Sequence, residues 1–134
     1  MKNPVWLEEE VVLYFHSEQI KAHGGMAGLK LLGQPLRDSL TRPQQLNAYR
    51  PRTRVFRLAA CYGYSIGKVF HPFNDGNKRV AALAAFTFLE LNGQAVEATD
   101  ASVIDTFVAV ASGACSEEKL ASWLKGHSVP VSPY

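Results

Sequence analysis

"VFHPFNDGNKRVAALAAF", residues 69–86, joins a polar loop directly to an apolar helix. The nine residues that precede the apolar run include an imidazole, a carboxylate, an amide and two cations: His71, Asp75, Asn77, Lys78 and Arg79. Residues 80–89 are apolar except for Thr87. A helix that is apolar on nearly all sides is buried, so we predict that a helix over residues 77–91 is the central element of the fold. The pair Asn92-Gly93 predicts where it ends.

The length and composition of the chain indicate one globular domain. It has 134 residues, of which 47% are hydrophobic and 19% are charged, and this composition is sufficient for a proper core. The net charge of +2 is too small to make nucleic acid the default partner, so we expect no direct nucleic-acid binding. We assign residues 1–134 to a single domain with a loosely ordered tail from about residue 127.

The cysteines and the N-terminal sequence favour a cytoplasmic protein. Cys61 and Cys115 are far apart and lack metal-binding spacing, which favours two reduced thiols, with a single disulfide as the alternative. Glutamates occupy positions 8–10, where a secretory signal would need its apolar core. No run approaches the roughly 18 apolar residues of a membrane-spanning helix. We therefore expect no membrane partner.

Hydrophobic spacing predicts five or six helices and hardly any strand, and therefore an all-α fold. The predicted helices cover residues 6–22, 35–42, 53–69 and 77–91, one that begins at Asp100 or Ser102, and 116–126. Pro43 is predicted to stop the second helix. Ser116 is predicted to cap the last one. Residues 94–99 are predicted to contain a short extended piece.

The same spacing predicts which side chains face the core. The predicted faces of the first, third and fifth helices are Leu7, Val11, Tyr14 and Phe15; Val55, Leu58, Tyr62, Ile66 and Val69; and Val103, Ile104, Phe107, Val108 and Ala111. Phe73, between the polar positions of the loop, is interpreted as an anchor in the core. His16, His23 and His127 have no evident partners and are interpreted as solvated.

The start of the central helix is a predicted anion site. If the helix begins near Gly76 or Asn77, its first backbone amides have no intrahelical partner, and together with the helix dipole they attract phosphate. Gly76 also lets the backbone approach a ligand closely. Lys78 and Arg79 are unfavourable at a positive helix end unless a polyanion binds there. We predict that these four residues bind phosphate.

His71 and Asp75 complete a predicted catalytic set. A carboxylate beside bound phosphates is a natural ligand for Mg²⁺, which makes Asp75 the candidate metal ligand. Pro72 biases His71 to an extended backbone. A neutral imidazole four residues before Asp75 can take a proton from an attacking hydroxyl. Together these groups indicate phosphoryl or nucleotidyl transfer.

Simpler interpretations of the individual residues stay open. Asp75-Gly76 is also a common turn, and Asp75 or Asn77 can be no more than an N-cap. A histidine before a proline is often structural or solvated, and two adjacent surface cations are usually only solvated. It is the combination within nine residues that favours a functional site.

The stretch "HPFNDGNKR", residues 71–79, resembles the Fic-domain signature His-x-Phe-x-(Asp/Glu)-Gly-Asn-x-Arg. It is most similar to the death-on-curing (Doc) branch, in which Lys replaces the usual Gly before Arg. "AALAAFTFLELNG" downstream is also similar, as are "HGGMAG" and "PLRDSLTRP" upstream, more loosely. The resemblance extends over about residues 20–93.

The resemblance implies an all-α Fic fold and the toxin of a type II toxin–antitoxin pair. Fic proteins generally transfer AMP from ATP to a target hydroxyl. Doc proteins resemble them but transfer the terminal phosphate to a threonine of elongation factor Tu, which halts translation. The resemblance implies His71 as the catalytic base, Asp75 as the Mg²⁺ ligand, and Gly76, Asn77, Lys78 and Arg79 as the phosphate-binding nest, with ATP as the substrate.

Three departures from the family pattern bear on these expectations. AMP-transferring members usually carry a second Arg, and Ala82 occupies that position here; with Lys78, this favours phosphate transfer and leaves AMP transfer as the alternative. The inhibitory Ser/Thr-x-x-x-Glu-Gly/Asn segment of self-inhibited members is not found, which implies inhibition by a separate, Phd-like antitoxin. Val80, where the branch often has Thr, is expected to affect only packing.

A different class of function is suggested by the basic stretch "RPRTRVFR", which contains Arg50, Arg52, Arg54 and Arg57. Such a cluster can bind nucleic acid or an acidic partner, and the simpler interpretation is a solvated helix face. The resemblance implies that the loop over residues 44–52 helps to position the target.

Overall fold

The structure, a computed structural model, describes residues 3–131 and has an all-α architecture, as predicted. Within that range the helices are α1 (Glu9–His23), α2 (Gln34–Tyr49), α3 (Val55–Tyr64), α4 (Asn77–Leu91), α5 (Asp100–Ser112) and α6 (Glu117–Gly126). Two short strands, β1 (Gln94–Val96) and β2 (Ser128–Pro130), pair antiparallel. No helix in this range is both long and apolar enough to cross a membrane.

Helix α4 is the buried centre of the fold and has the bounds that the sequence predicted. It packs against α1, α3, α5 and β1. Its buried residues are Val80, Ala81, Ala82, Ala84, Ala85, Phe88 and Leu89. Helix α3 approaches closely because small residues meet there: a Cβ added at Gly63 would lie 3.6 Å from the carbonyl oxygen of Ala81. Val80 is fully buried, in agreement with a packing role.

Helix α2 continues through Pro43, so the predicted stop at this residue is wrong. Leu36, Leu40 and Pro43 are buried and Leu46 packs against the core, so an apolar stripe at helical spacing runs across the proline. Burial of this stripe offsets the roughly 3 kcal/mol that a proline in a helix interior costs. Residues 44–49 are therefore helical, although a loop was predicted over residues 44–52.

Helix α3 ends at Tyr64, before the predicted end at Val69, and continues as a π-helical turn over Ser65–Phe70. A π-helical turn contains more residues than an α-helical one. The helical face therefore rotates, and Val69 is 48% exposed instead of buried, whereas Ile66 stays fully buried. The π-helical turn ends at Phe70, directly before His71, the first residue of the polar loop.

Helix α1 begins at Glu9, later than predicted, and its buried face also differs. Tyr14 is 62% exposed, whereas Val12 and His16 are buried. Of the predicted apolar face, Leu7 is buried and Val11 packs against the core, whereas the prediction is wrong for Tyr14. The solvated interpretation of His16 is also wrong. This face of α1 contacts the polar loop, as described below.

The ends of the last two helices are capped by side chains. Thr99 Oγ1 accepts a hydrogen bond from the amide of Ser102 at 3.1 Å, so the cap of α5 is Thr99 and not Asp100 or Ser102. Ser116 Oγ accepts from the amide of Lys119 at 3.2 Å, which confirms the predicted cap of α6.

The chain after α6 pairs with β1 through residues 128–130, so the predicted loose tail is wrong for these residues. The rest of the predicted tail, residues 132–134, lies outside the described residues. Both cysteines are free thiols. Burial raises the pKa of the Cys61 thiol to about 11, so Cys61 is protonated and unsuited to nucleophilic chemistry.

Candidate active site

The polar loop and the start of α4 line one cleft of about 590 Å³. All six candidate residues from the sequence line it: His71, Asp75, Gly76, Asn77, Lys78 and Arg79. The volume falls in the range of about 300–1,000 Å³ that is typical of ligand pockets. A candidate base, a candidate metal ligand and a candidate phosphate nest therefore share one space.

The N-terminus of α4 is open toward this cleft. Gly76 is the N-cap residue, with a left-handed φ of +84°, and no side chain of the described residues caps the helix. The interpretation of Asp75 or Asn77 as a simple N-cap is therefore wrong. The first backbone amides of α4 have no intrahelical acceptor and remain available to an anion.

The side chain of Asn77 binds the loop and not the helix. Its Oδ1 accepts from the Phe73 amide at 2.9 Å, and its Nδ2 donates to the Phe73 carbonyl oxygen at 2.9 Å. Phe73 is fully buried, which confirms it as an anchor. Asn77 thus contributes its backbone amide to the nest, and its side chain fixes the loop.

Lys78 and Arg79 supply positive charge beside the nest. Both are exposed, and neither has a carboxylate within 4.0 Å among residues 3–131. Two unpaired cations at the positive end of a helix dipole favour an anionic ligand. The guanidinium of Arg79 has the planar geometry that suits phosphate oxygens.

His71 follows the π-helical turn in a left-handed conformation, with φ +44° and ψ +62°. The extended backbone predicted from Pro72 is therefore wrong. Burial lowers the pKa of His71, and the positive charges of Lys30, Lys68 and Lys78 lower it further, although a hydrogen bond with the backbone of Lys68 acts in the opposite direction. A lowered pKa keeps the imidazole neutral near pH 7, the state in which it can accept a proton.

Asp75 is the carboxylate of the cleft. Its Oδ2 accepts from the Met26 amide at 2.7 Å. No group of three or more His, Cys, Asp or Glu side chains lies together within the described residues, so this part of the chain offers no all-protein metal cage. One carboxylate beside a phosphate nest nevertheless fits Mg²⁺, which is often held by one or two carboxylates together with substrate phosphates. Asp75 is the residue that would hold it.

The opposite wall of the cleft is apolar and comes from α5. Val103, Ile104, Phe107, Val108 and Ala111 line it. The sequence predicted that this face packs on the core, but Ile104 is 61% and Val108 is 48% exposed. Only Phe107 of these five is buried in the core. An apolar wall opposite a polar nest is typical of sites for ligands with an organic ring and a charged group.

The end of α1 and the segment after it also line the cleft, through His23, Gly24 and Gly25. Gly25 has φ +111°, and a Cβ there would lie 3.2 Å from the Asp75 Cβ. Farther along, the Asn74 amide donates to the Gly28 carbonyl oxygen at 3.1 Å. This segment therefore packs against the polar loop and leaves little space for a side chain at Gly25.

Ala82 lines the cleft one helical turn after Arg79. This is the position at which the resemblance to AMP-transferring Fic proteins implies a second Arg. An arginine at this position would lie at the cleft, so its replacement by alanine changes the charge of the site and not only the packing of α4.

The basic cluster lines a separate, larger cleft of about 1030 Å³. Arg57 is not free there, because its Nε lies 3.1 Å from Glu117 Oε1 and its Nη1 lies 3.6 Å from Glu118 Oε1. This cleft is lined by residues 46, 49–54, 57, 118 and 121. That set contains no histidine and no cysteine, so the smaller cleft is the better candidate for catalysis.

Comparison with known proteins agrees with this geometry. The sequence matches the Fic/DOC family over residues 6–89. It is 31% identical over 120 residues to "Protein kinase doc" of Escherichia phage P1, and the alignment covers 89% of this chain and 92% of that protein. The chain belongs to the Fic/DOC family, in its Doc branch.

Proposed function

We propose that the protein is a Doc-like kinase and the toxin of a type II toxin–antitoxin pair. In this proposal it acts in the cytoplasm and transfers the terminal phosphate of ATP to the hydroxyl group of a threonine of elongation factor Tu. The observation that carries the proposal is that His71, Asp75 and the uncapped start of α4 line one cleft. The phage P1 relative is named a protein kinase, which supports phosphate transfer.

The chemistry assigns a separate role to each group. His71, neutral because burial and nearby lysines lower its pKa, takes the proton of the attacking hydroxyl. The hydroxyl oxygen bonds to the γ-phosphorus while the bond to the β,γ-bridging oxygen breaks and ADP leaves. The backbone amides at the start of α4, with Lys78 and Arg79, stabilise the charge on the phosphate oxygens. Mg²⁺, held by Asp75 and the phosphates, would neutralise part of that charge.

Phosphate transfer is favoured over AMP transfer by the cations of the cleft. Lys78 adds a point charge close to the nest, and Ala82 supplies none where AMP-transferring members usually have an arginine. The charged groups available to bind a complete triphosphate therefore differ from those of AMP-transferring members. The alternative, AMP transfer to a protein hydroxyl, uses the same base and differs in which phosphorus faces His71.

Mass spectrometry of elongation factor Tu distinguishes these reactions. The purified protein is incubated with the factor, Mg²⁺ and ATP, and we expect a gain of one phosphate on a threonine. Label from γ-labelled ATP, but not from α-labelled ATP, should enter the factor. A gain of one adenylate would instead establish AMP transfer. His71→Ala is the control, and unmodified factor with the wild-type protein would contradict the proposed target.

Control in this proposal comes from a Phd-like antitoxin that binds in trans. The apolar wall of α5, with Ile104 and Val108 exposed beside the nest, offers a surface to a bound peptide or helix. Co-expression with a Phd-like antitoxin should relieve growth arrest, and the two proteins should co-purify as a complex.

The alternative of a basic binding module is weakened by the pairing of Arg57 with Glu117 and Glu118. Its test is binding to arbitrary DNA at increasing salt concentration. Tight binding with a steep salt dependence would favour that function, and no binding at physiological salt would remove it.

A further inference from the structure

His16 of α1 lies outside the signature, yet it contacts the loop that carries the candidate catalytic residues. It is 7% exposed. Its Nε2 lies 2.9 Å from the backbone carbonyl oxygen of Asp75. Because a carbonyl oxygen only accepts, Nε2 carries the proton and donates this hydrogen bond. The contact joins residues 59 positions apart in the sequence.

The imidazole of His16 also packs against the loop through its face. It stacks on the Phe73 ring with a centroid distance of 3.9 Å and an interplanar angle of 10°. A Cβ added at Gly76 would lie 3.7 Å from His16 Cδ2. The His16 side chain thus contacts Phe73 and Asp75 and lies close to Gly76, the N-cap residue of α4.

We infer that His16 is a positioning residue that fixes the Asp75 carboxylate and the start of the phosphate nest. This inference rests on the proposed function, because it assigns His16 a role in the same site. His16 does not line the cleft, so it acts through the loop and not on the substrate. The carbonyl of Asp75 is held from one side by His16, and the carboxylate from the other by the Met26 amide.

Two substitutions separate the hydrogen bond from the stacking. His16→Phe keeps a flat ring over Phe73 and removes the donor. His16→Gln places an amide Nε2 donor near the position of the imidazole Nε2 but removes the ring. If the hydrogen bond positions the loop, the Phe variant is impaired and the Gln variant is partly rescued.

The first measurement is hydrogen exchange of the Met26 amide, which donates to Asp75 Oδ2. Loss of the His16 hydrogen bond lets the carboxylate move, so exchange at Met26 should be about tenfold faster in His16→Phe and nearer to wild type in His16→Gln. This measurement needs no substrate and holds whichever group the enzyme transfers. Unchanged Met26 exchange in His16→Phe would overturn the inference.

The second measurement is the separation of kcat from KM for phosphate transfer. We expect kcat to fall about tenfold or more in His16→Phe, because the Asp75 carboxylate and the start of the phosphate nest lose their fixed positions. KM for ATP should change less, because Lys78 and Arg79 still supply positive charge beside the nest. A purely structural role would lower the melting temperature and the active fraction of both variants, and a smaller active fraction lowers the apparent kcat without changing KM. The rates are therefore expressed per folded molecule, and the difference in kcat between the Phe and Gln variants is the result that tests positioning. Equal impairment of the Phe and Gln variants would therefore refute positioning through the hydrogen bond.

The two measurements also separate this inference from the proposed function. If the wild-type protein transfers AMP or does not modify elongation factor Tu, the proposed reaction fails, and the Met26 exchange still decides the role of His16. If the wild-type protein phosphorylates the factor and both His16 variants match it in kcat and exchange, the reaction stands and the inference fails.

Discussion

The side chain of Asn77 connects the polar loop to α4, and its removal should reduce catalysis more than stability explains. Its two hydrogen bonds to the Phe73 backbone are each 2.9 Å long. At about 0.5–1.5 kcal/mol for each bond, Asn77→Ala should lower the free energy of unfolding by about 1–3 kcal/mol. Phe73 lies between His71 and Asp75, so both groups lose their fixed positions. Since displacement by about 1 Å can reduce a rate about a hundredfold, we expect at least a tenfold loss of kcat.

Asn92→Ala is the matched control, because Asn92 has a similar role at the other end of α4. Its Oδ1 accepts from the Val5 amide at 2.8 Å, and its Nδ2 donates to the carbonyl oxygens of Val5 at 3.0 Å and Phe88 at 2.8 Å. The bonds with Val5 are exposed, so we expect a comparable loss of about 1–3 kcal/mol. The fifteen residues of α4 place Asn92 about 22 Å from the nest. Its removal should leave activity per folded molecule unchanged.

The assay combines urea denaturation with initial rates of target modification. Denaturation gives the free energy of unfolding, and the rates are measured at a temperature where both variants are almost fully folded. The reasoning predicts similar stabilities and very different kcat values. Equal kcat values for Asn77→Ala and Asn92→Ala, after correction for the folded fraction, would refute a catalytic role for this contact between loop and helix.

Three further predictions test other parts of the molecule. His71→Ala should abolish target modification and growth arrest while the circular dichroism spectrum stays unchanged; an equally toxic variant would exclude base catalysis by His71. Lys30→Gln removes a positive charge that lowers the pKa of His71, so the pKa of His71 should rise and the acidic limb of the kcat/KM profile should move to higher pH. The control Lys125→Gln should leave this limb in place. An acidic limb that stays fixed in both variants would contradict the assignment of His71 as the base. Glu117→Ala removes a 7% exposed carboxylate that pairs with two arginines, and denaturation should show that the free energy of unfolding falls by about 2–3 kcal/mol. The control Glu118→Ala removes an exposed carboxylate and should lower it by less than about 0.5 kcal/mol.

The central helix and its polar loop could be predicted because their signals are local. The apolar run over residues 80–89, the glycine at position 76 and the pair Asn92-Gly93 each act within one helical turn of the boundary that they set. The structure confirms these boundaries and brings the loop residues to one cleft. Their roles in catalysis remain proposals.

The contact made by His16 could not be predicted in the same way, because its partner Asp75 lies 59 residues later. A hint was present in the spacing, since Val12, His16 and Ile20 recur every four residues and place the histidine on the buried side of α1. The periodicity of Leu7, Val11 and Tyr14 concealed it. Because Leu7 precedes α1, the helical spacing from Leu7 to Val11 does not identify the buried face of the helix.

Two further errors came from backbone features whose outcome depends on tertiary packing. Pro43 normally ends a helix, and only the burial of residues on both sides of it explains why α2 continues. The π-helical turn over Ser65–Phe70 has no sequence signature of its own. Ser65 Oγ lies 3.1 Å from Arg42 Nη1, and the same nitrogen lies 2.6 Å from Glu117 Oε2, so groups from α2 and α6 meet where the turn begins.

The position of the candidate catalytic residues is a property of several elements together. His71 adopts a left-handed φ of +44°, a conformation that costs a residue with a Cβ about 1–2 kcal/mol. Such strain persists only where the surroundings determine the backbone, and here α1 contributes His16, the segment after it contributes the Met26 amide, and α4 contributes Asn77. An inhibitor that unfolded the loop would have to break all three contacts. Occupying the cleft or covering its apolar wall requires none of them to break, so the proposed antitoxin would need only to bind there.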